Sequence, residues 1–276
     1  MRNHHSTFPG EGGIELYMQS WLPEGEPLAD VAILHGFGEY SDRYGGVAEA
    51  LVHIGCGVHA FDLRGHGRSP GKRGDIPSRA STRMDVDAFI HEIAAQNGGR
   101  KLFLYGHSYG SLIAIDYVLH GGTGVSGLIA SGPLLAQAEV SPLLVWLSKF
   151  IVRIYPAFSM DIGLDATSLS RDPEIVRAYQ DDPLVHSLAT ARFGAAVEET
   201  IAWCQEHAAE MELPIFVVYG EKDRLVPPEG TERFYNNMHA SDRSLYVVPE
   251  GFHEPHNDLD KDAVLAEIGA WIRARA

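Results

Sequence analysis

The chain has 276 residues, 45% of them apolar, which suffices for the core of one domain with an insertion or of two small domains. We favour the single domain. The formal net charge of −15 disfavours nucleic acid as a partner, because no cluster of lysine and arginine offsets the acidic surface locally.

The N-terminal stretch "MRNHHSTFPGEGGIELYMQSW" shows neither an apolar signal core nor a small-residue cleavage site. We therefore expect no secretory signal and predict a cytoplasmic protein. The two cysteines, Cys56 and Cys204, form no CxxC pattern and are expected to be free thiols, as is usual in a reducing compartment.

Short apolar runs follow one another along the chain, each closed by glycine, proline or aspartate, and most are separated by segments of helical periodicity. The runs are "ELYMQSWL", "VAILHG", "GVHAFD", "KLFLYG", "VSGLIASG", "PIFVVYG" and "SLYVVPEG". This alternation predicts an α/β fold with a mostly parallel central sheet and helices on both faces. The first run alternates in polarity, which predicts a more exposed antiparallel edge strand.

The alternation stops over residues 133–212, where the pattern is helical throughout. So long a segment between two core strands is not a simple crossover. We predict a helical cap at 133–212, inserted between the two parts of the core, 1–132 and 213–276. Residues 142–158 form the longest apolar segment, which is too short and too charged to cross a bilayer.

The stretch "LFLYGHSYGS" interrupts a buried strand with a glycine-rich turn and then continues as the helical run "LIAIDYVLH". Gly106-x-Ser108-x-Gly110 fits the nucleophile elbow, a tight turn between strand and helix that exposes a serine hydroxyl above a sheet. Small residues also suit an ordinary turn, so the pattern needs catalytic partners.

Two later strands each end just before a suitable partner. Asp223 follows "PIFVVYG", and His253 follows "SLYVVPEG". The order Ser108, Asp223, His253 is that of α/β-hydrolases, with the histidine as base and the aspartate orienting it. Glu221 remains an alternative acid and His256 an alternative base.

Donors for an oxyanion are expected in "AILHGFGE", where His35 and Gly36 turn the chain after a strand. The backbone N–H of Phe37 is predicted to act with that of Tyr109, the residue after the nucleophile. His35 is expected to brace this loop rather than to transfer protons.

Six stretches along the chain together resemble the monoacylglycerol lipase family of serine α/β-hydrolases. They are "HGFGEYSDRY", "FDLRGHGRSPGKRG", "YGHSYGS", "SRDPEIVRAYQDDPLVH", "YGEKDRLVPPEG" and "GFHEPHND". The resemblance runs from about residue 14 to the C-terminus and includes the cap. It implies the same triad and the same two oxyanion donors as the residues themselves suggest.

The resemblance further implies a polar group of Glu39, Arg43 and His256 around the site, which would fix the oxyanion loop against the histidine loop. A surface ion pair is the alternative interpretation. Tyr40 and Tyr109 depart from the family, which usually has histidine and methionine there. Neither removes a catalytic atom, but the bulk of Tyr109 puts the preference for acyl-chain length in doubt.

The sequence thus predicts a cofactor-free serine esterase that cleaves monoacylglycerols through an acyl-enzyme. A lysophospholipase or general carboxylesterase with the same triad is the alternative, because the motifs define the reaction better than the substrate. A ligand-binding protein with a hydrolase fold is a rival from another class. No metal site is expected, because the pairs His4/His5 and His253/His256 lack further ligands.

A cap helix is predicted to begin at Ser141, and "LLVWLSKFIVRIY" is apolar on almost every side. We expect one part of it to line the acyl channel. Another part, drawn from Leu143, Leu144, Trp146 and Leu147, is expected to contact lipid peripherally, with Lys149 and Arg153 at headgroup level. The alternative is a helix buried between cap and core or in a dimer contact.

Overall fold

The computed structural model describes residues 1–137 and 152–276. Eight strands form one sheet in the order β1-β2-β4-β3-β5-β6-β9-β10, and β7 pairs with β8 in a separate ribbon. The strands are β1 (Arg2–Pro9), β2 (Glu15–Leu22), β3 (Asp30–Leu34), β4 (Gly57–Phe61), β5 (Leu102–His107), β6 (Gly127–Ser131), β7 (Ser159–Asp161), β8 (Leu188–Thr190), β9 (Ile215–Gly220) and β10 (Arg243–Val248).

The described α-helices are α1 (Gly45–His53), α2 (Arg79–Ala94), α3 (Tyr109–Leu119), α4 (Pro173–Asp181), α5 (Ala191–Glu206), α6 (Pro228–Asn237) and α7 (Lys261–Arg273). All but α4, which packs within the insertion between β6 and β9, cover the two faces of the sheet. Helices α1 and α7 share one apolar core with one face of the sheet, and α2, α3, α5 and α6 share a second core with the other. Burial on both faces explains why strands such as β5 consist of apolar runs.

The predicted α/β-hydrolase fold with a mostly parallel sheet is confirmed, since β4, β3, β5, β6, β9 and β10 run parallel to their neighbours in that series. The expectation that β2 is an edge strand is wrong. β2 is antiparallel, as predicted, but it lies between β4 and β1. The polar N-terminal residues form the edge because β1 pairs with β2 along its whole length.

The segment between β6 and β9, residues 133–212, is called the insertion below. Its described part contains α4, α5 and the antiparallel ribbon of β7 and β8, so it is not helical throughout. The predicted cap helix from Ser141 lies mostly in 138–151, outside the described residues. None of the described helices is long and apolar enough to cross a bilayer.

The carboxyl ends of the parallel strands point to one edge of the sheet, where ligands bind in folds of this kind. β3 leads into the loop with Phe37, β5 into Ser108, β9 into Asp223 and β10 into His253. The topology therefore brings together four loops that are far apart in the sequence.

Candidate active site

Ser108 occupies a strained turn between β5 and α3. Its φ of 51° and ψ of −116° lie outside the regions that a serine ordinarily adopts. The Ser108 N–H donates to the Ser131 carbonyl at 2.9 Å, which ties the turn to the neighbouring strand β6. Helix α3 begins at the next residue, so the hydroxyl stands at a helix N-terminus.

The two glycines of the elbow are required by close backbone contacts. A Cβ on Gly106 would lie 2.6 Å from the Gly110 carbonyl oxygen, and a Cβ on Gly110 would collide with the Leu34 carbonyl oxygen. Helix α3 thereby packs directly on strands β5 and β3. This explains the Gly-x-Ser-x-Gly spacing in steric terms.

Ser108, His253 and Asp223 form a continuous hydrogen-bonded chain. His253 Nε2 lies 2.9 Å from Ser108 Oγ, and His253 Nδ1 lies 2.7 Å from Asp223 Oδ2. Only 4% of His253 is exposed. A neutral imidazole that donates from Nδ1 to the carboxylate presents Nε2 to the hydroxyl as an acceptor, as a general base requires.

Asp223 is oriented by its own turn. Its Oδ1 accepts the N–H groups of Leu225 and Val226, both at 2.9 Å, which leaves Oδ2 to His253. Glu221, the alternative acid, is about half exposed and accepts the N–H of Glu250 at 3.1 Å instead. The geometry favours Asp223 as the partner of the histidine.

The electrostatics of the site favour a proton on His253. Burial alone would lower the pKa of His253, but the Asp223 carboxylate and its hydrogen bond raise this pKa above the ordinary value. Two further carboxylates, Glu254 and Glu39, act in the same direction. The imidazolium that forms when His253 takes a proton is thereby stabilised.

The loop after β3 passes close to the start of α3. None of the hydrogen bonds found among residues 1–137 and 152–276 uses the N–H of Phe37 or Tyr109. His35 lies buried beneath the loop, where its Nε2 accepts the Leu63 N–H and its Nδ1 contacts the Gly36 carbonyl oxygen. Burial lowers the pKa of His35, which suits a neutral bracing residue.

A buried ionic network joins this loop to the histidine loop. Arg43 Nη2 donates to both oxygens of Glu254, at 2.8 and 2.7 Å, and its Nε lies 3.2 Å from Glu39 Oε2. Glu39 Oε1 accepts from the Gly36 N–H and from the Tyr44 hydroxyl, each at 2.6 Å. Arg43 thus connects a carboxylate beside Gly36 to the residue that follows His253.

His256 does not take the place expected for it in this network. Neither of its ring nitrogens has a partner among the described residues. The ring instead stacks on Tyr44 at 5.2 Å and meets the edge of His107 at 4.7 Å. Burial lowers the pKa of His256 to about 4, so the ring is neutral at physiological pH and packs behind the triad.

Glu254 was missed by the sequence analysis, which placed the Glu39 carboxylate between Arg43 and His256; the Arg43–Glu39 contact is present, and the one with His256 is not. The signal was present in "FHEPH", where a glutamate directly follows the histidine. An acidic residue at that position, 1% exposed in the structure, requires a buried cation, and Arg43 is that cation. Among the described residues, no three His, Cys, Asp or Glu side chains are grouped so as to hold a metal.

Comparison with known proteins agrees with this geometry. A family model described as serine aminopeptidase, S33, matches residues 25–260. The monoacylglycerol lipase of Mycolicibacterium smegmatis is 33% identical over 98% of this chain and 97% of its own length. A phospholipase of Bacillus subtilis is 30% identical over 92% of this chain and 98% of its own length.

Among solved structures, the crystal structure of Paleococcus ferrophilus monoacylglycerol lipase superposes with a TM-score of 0.87 and 33% identity. The match covers 95% of this chain and 100% of that chain. Both the sequence match and the structural match therefore extend over nearly the whole chain. The chain belongs to the serine aminopeptidase S33 family of α/β-hydrolases, within its monoacylglycerol lipase group.

Proposed function

We propose that this protein is a serine hydrolase that cleaves monoacylglycerols to fatty acid and glycerol through an acyl-enzyme. The hydrogen-bonded chain from Ser108 through His253 to Asp223, at a strained elbow, carries the proposal. The names of the relatives support the substrate class.

In the first half-reaction, Ser108 Oγ attacks the ester carbonyl carbon while His253 Nε2 takes the hydroxyl proton. The carbonyl oxygen becomes an oxyanion, to which the N–H groups of Phe37 and Tyr109 donate. Asp223 holds the imidazole in place and stabilises its positive charge. The intermediate then expels glycerol, which receives the proton from His253.

In the second half-reaction, a water molecule attacks the acyl-enzyme. His253 takes a proton from the water and returns it to Ser108 Oγ as the fatty acid leaves. The same oxyanion donors serve both halves, and no residue other than Ser108 carries the acyl group.

Substrate choice is tested by comparing the turnover of monoolein, a lysophospholipid and a short p-nitrophenyl ester. We expect the highest kcat/KM with monoolein. A higher value with the lysophospholipid would favour the second candidate, a lysophospholipase, for which the Bacillus subtilis relative speaks. Failure of a fluorophosphonate to label Ser108 would contradict hydrolase function altogether and favour a binding protein.

We further propose that the insertion is a cap over the site. Several of its backbone groups bond to the catalytic loops: the Leu169 carbonyl accepts the Glu254 N–H at 2.8 Å, and the His186 N–H donates to Gly38 at 2.8 Å. A cap that shields the site from water would also shape an acyl pocket.

The insertion exposes a group of large apolar side chains, which we propose contacts lipid. They are Ile154 (66% exposed), Tyr155 (60%), Phe158 (40%), Met160 (54%), Ile162 (50%) and Leu188 (39%). Such a concentration supports a peripheral docking surface for a protein whose substrate resides in membranes. The leucines and Trp146 predicted for this role lie outside the described residues.

Met160→Glu tests the docking surface, with Leu28→Glu as the matched control. Leu28 is 48% exposed and lies just before β3, at the opposite end of the parallel strands. Met160→Glu should weaken vesicle binding and monoolein turnover but spare a soluble short-chain ester. Equal effects of the two variants on vesicle binding would contradict the proposal.

We propose a reducing compartment, the cytoplasm, as the location. Cys56 and Cys204 are free thiols, as predicted, and both are buried, so neither needs an oxidising environment. Tagged protein should be recovered in the cytosolic fraction, with a part on membranes that the Met160→Glu variant reduces.

A further inference from the structure

One aromatic ring of the insertion contacts both residues whose N–H groups we assign to the oxyanion hole. The Phe193 ring lies 4.7 Å from the Phe37 ring and 5.0 Å from the Tyr109 ring, measured between centroids. Phe193 is 6% exposed. Phe37 lies in the loop after β3, Tyr109 begins α3, and Phe193 belongs to α5. Phe193 therefore packs against two elements of the site from a third element, in the insertion.

Phe193 is itself held firmly at the first turn of α5. Its N–H donates to the Thr190 hydroxyl at 3.2 Å, and that hydroxyl donates to Asp75 at 2.7 Å. The Thr190 N–H donates to the Gly74 carbonyl at 2.9 Å, and Arg192 pairs with the Asp75 carboxylate. The ring therefore projects from a helix start that is anchored to the loop between β4 and α2.

The insertion also holds the residues that follow Phe37. The His186 N–H donates to the Gly38 carbonyl at 2.8 Å, and the Tyr40 hydroxyl donates to Asp182 at 2.6 Å. These bonds fix the far side of the loop. Contact with Phe193 fixes the side chain of Phe37 itself.

We propose that Phe193 is a positioning residue for the oxyanion hole, keeping the backbone N–H groups of Phe37 and Tyr109 at the spacing that the oxyanion requires. This inference rests on the serine-esterase function proposed above. The stabilisation of a developing negative charge by fixed donors depends steeply on their placement, so a small shift of either N–H slows the reaction.

The rival interpretation is that Phe193 only lines the acyl pocket. A lining residue affects long acyl chains and leaves an acetyl group untouched. A positioning residue affects kcat for every acyl length, because each reaction passes through the same oxyanion. It also affects an ester more than the matching thionoester, since the anionic sulfur accepts hydrogen bonds more weakly than oxygen.

Phe193→Leu is compared with the wild type on a short aryl acetate, on a long-chain ester and on the thionoester of the acetate. We expect kcat for both esters to fall about tenfold or more with KM changed less than about twofold. The ratio of ester to thionoester turnover should fall by a similar factor. Cys204→Ala, a fully buried change farther along α5, is the matched packing control and should keep this ratio.

A loss confined to the long-chain ester, or an equal loss on ester and thionoester, would overturn the inference. If Phe193→Leu does not fold, Phe193→Met retains most of the volume without the ring and is judged by the same criteria. Wild-type protein that hydrolyses neither ester would overturn the proposed function and this inference together, whereas a normal Phe193→Leu enzyme overturns only the inference.

Discussion

Within residues 1–137 and 152–276, a serine, a histidine and an aspartate are joined by hydrogen bonds at two places: the site at Ser108, and Ser20, His59 and Asp30, called the Ser20 network below. Besides the site at Ser108, Ser20 Oγ lies 2.8 Å from His59 Nδ1, and His59 Nε2 lies 3.2 Å from Asp30 Oδ1. The Ser20 network even borders a cleft of about 220 Å³, which His59 and Asp30 help to line. The two regions share residue types and differ in nearly everything else.

The backbone makes the first difference. Ser20 lies inside β2, opposite His59 on β4 and opposite His4 on β1, with its backbone in an antiparallel sheet on both sides. Ser108 sits at a positive φ beyond the end of β5, next to the Tyr109 N–H, for which the described part of the chain offers no hydrogen-bond acceptor. Ser20 and Ser108 are both half-buried, so exposure does not distinguish them. A nucleophile also needs nearby donors for the oxyanion, and of the two sites the elbow supplies them.

The carboxylates make the second difference. Asp30 faces a cation, because its Oδ2 accepts from Arg100 Nε at 3.1 Å. Asp223 faces two backbone N–H groups and His253, with no arginine among its hydrogen-bond partners in the described part of the chain. Asp223 therefore directs its charge at the imidazole, whereas Asp30 shares its charge with a guanidinium. Backbone and charge, rather than the three residue types, distinguish a catalytic site from a structural network.

The largest expected effect comes from removing the nucleophile. Ser108→Ala should lower kcat for monoolein by about 10⁵-fold or more, since losing the acyl carrier removes most of the catalysis. It should abolish labelling by a fluorophosphonate while circular dichroism stays unchanged. Retention of more than about a hundredth of the wild-type kcat would contradict the elbow assignment.

Asp223→Asn should come next, lowering kcat by about 10⁴-fold through loss of the orienting charge. Asp30→Asn is the matched control, because it changes the same residue type in the Ser20 network. It should leave kcat within about twofold while reducing stability. A large loss of kcat in the control would show that the two regions are coupled.

Glu254→Gln should reduce kcat by about ten- to hundredfold, because Arg43 would lose its bidentate partner and the histidine loop its connection to the oxyanion loop. Arg43 is nearly buried, so the variant should also lose about 1–3 kcal/mol of stability in urea unfolding. An unchanged kcat together with reduced stability would make the network purely structural.

The pH dependence of the activity should reflect the raised pKa of His253. As the base, His253 must be neutral, so kcat/KM should rise with pH through a pKa above about 6.5 and then level off. Stability should move oppositely: the His253–Asp223 contribution is fully present below about pH 6.5 and is lost as pH rises through the raised pKa. An activity profile with its midpoint below 6.5 would contradict this electrostatic interpretation.

The smallest effects on kcat are expected from substitutions in the Ser20 network. Ser20→Ala and His59→Gln should keep kcat within about twofold and cost about 1 kcal/mol of stability each, the value of a lost hydrogen bond. Thermal unfolding and ester turnover measure both. Fluorophosphonate labelling at Ser20 in the Ser108→Ala background would show that Ser20 is also a reactive nucleophile, contrary to the structural role assigned to it.

Most of the sheet was predictable because buried parallel strands leave continuous apolar runs. β1 was not predicted, because "RNHHST" carries polar residues on both faces. It is held to β2 by the backbone ladder and by polar side-chain contacts, such as Thr7 Oγ1 to Glu15 at 2.8 Å, which leave no apolar pattern in the sequence. The ribbon of β7 and β8 was missed because three-residue strands are too short for a periodic signal.

The elements of the site were recognisable in the sequence for the same reason, since each follows an apolar run. The partners of those residues were harder to predict. Arg43 was assigned to a polar group with Glu39 and His256, and its contact with Glu39 is present. Its bidentate partner is Glu254, which could not be predicted because that pairing depends on how two distant loops meet. Phe193 carried no motif, and its contacts arise from the way the insertion packs on the core.

The N-terminal strand has a consequence for how molecules behave in concentrated solution. β1 is one of the two edges of the eight-stranded sheet, and an unprotected edge invites pairing with a second molecule and eventual aggregation. Here the exposed edge carries Arg2, His4 and His5 and ends at Pro9, which has no N–H to donate. A strand from a second molecule would have to pair beside a guanidinium, two imidazoles and a proline that lacks an N–H. The strand that the apolar pattern failed to reveal therefore disfavours self-association at this edge of the sheet.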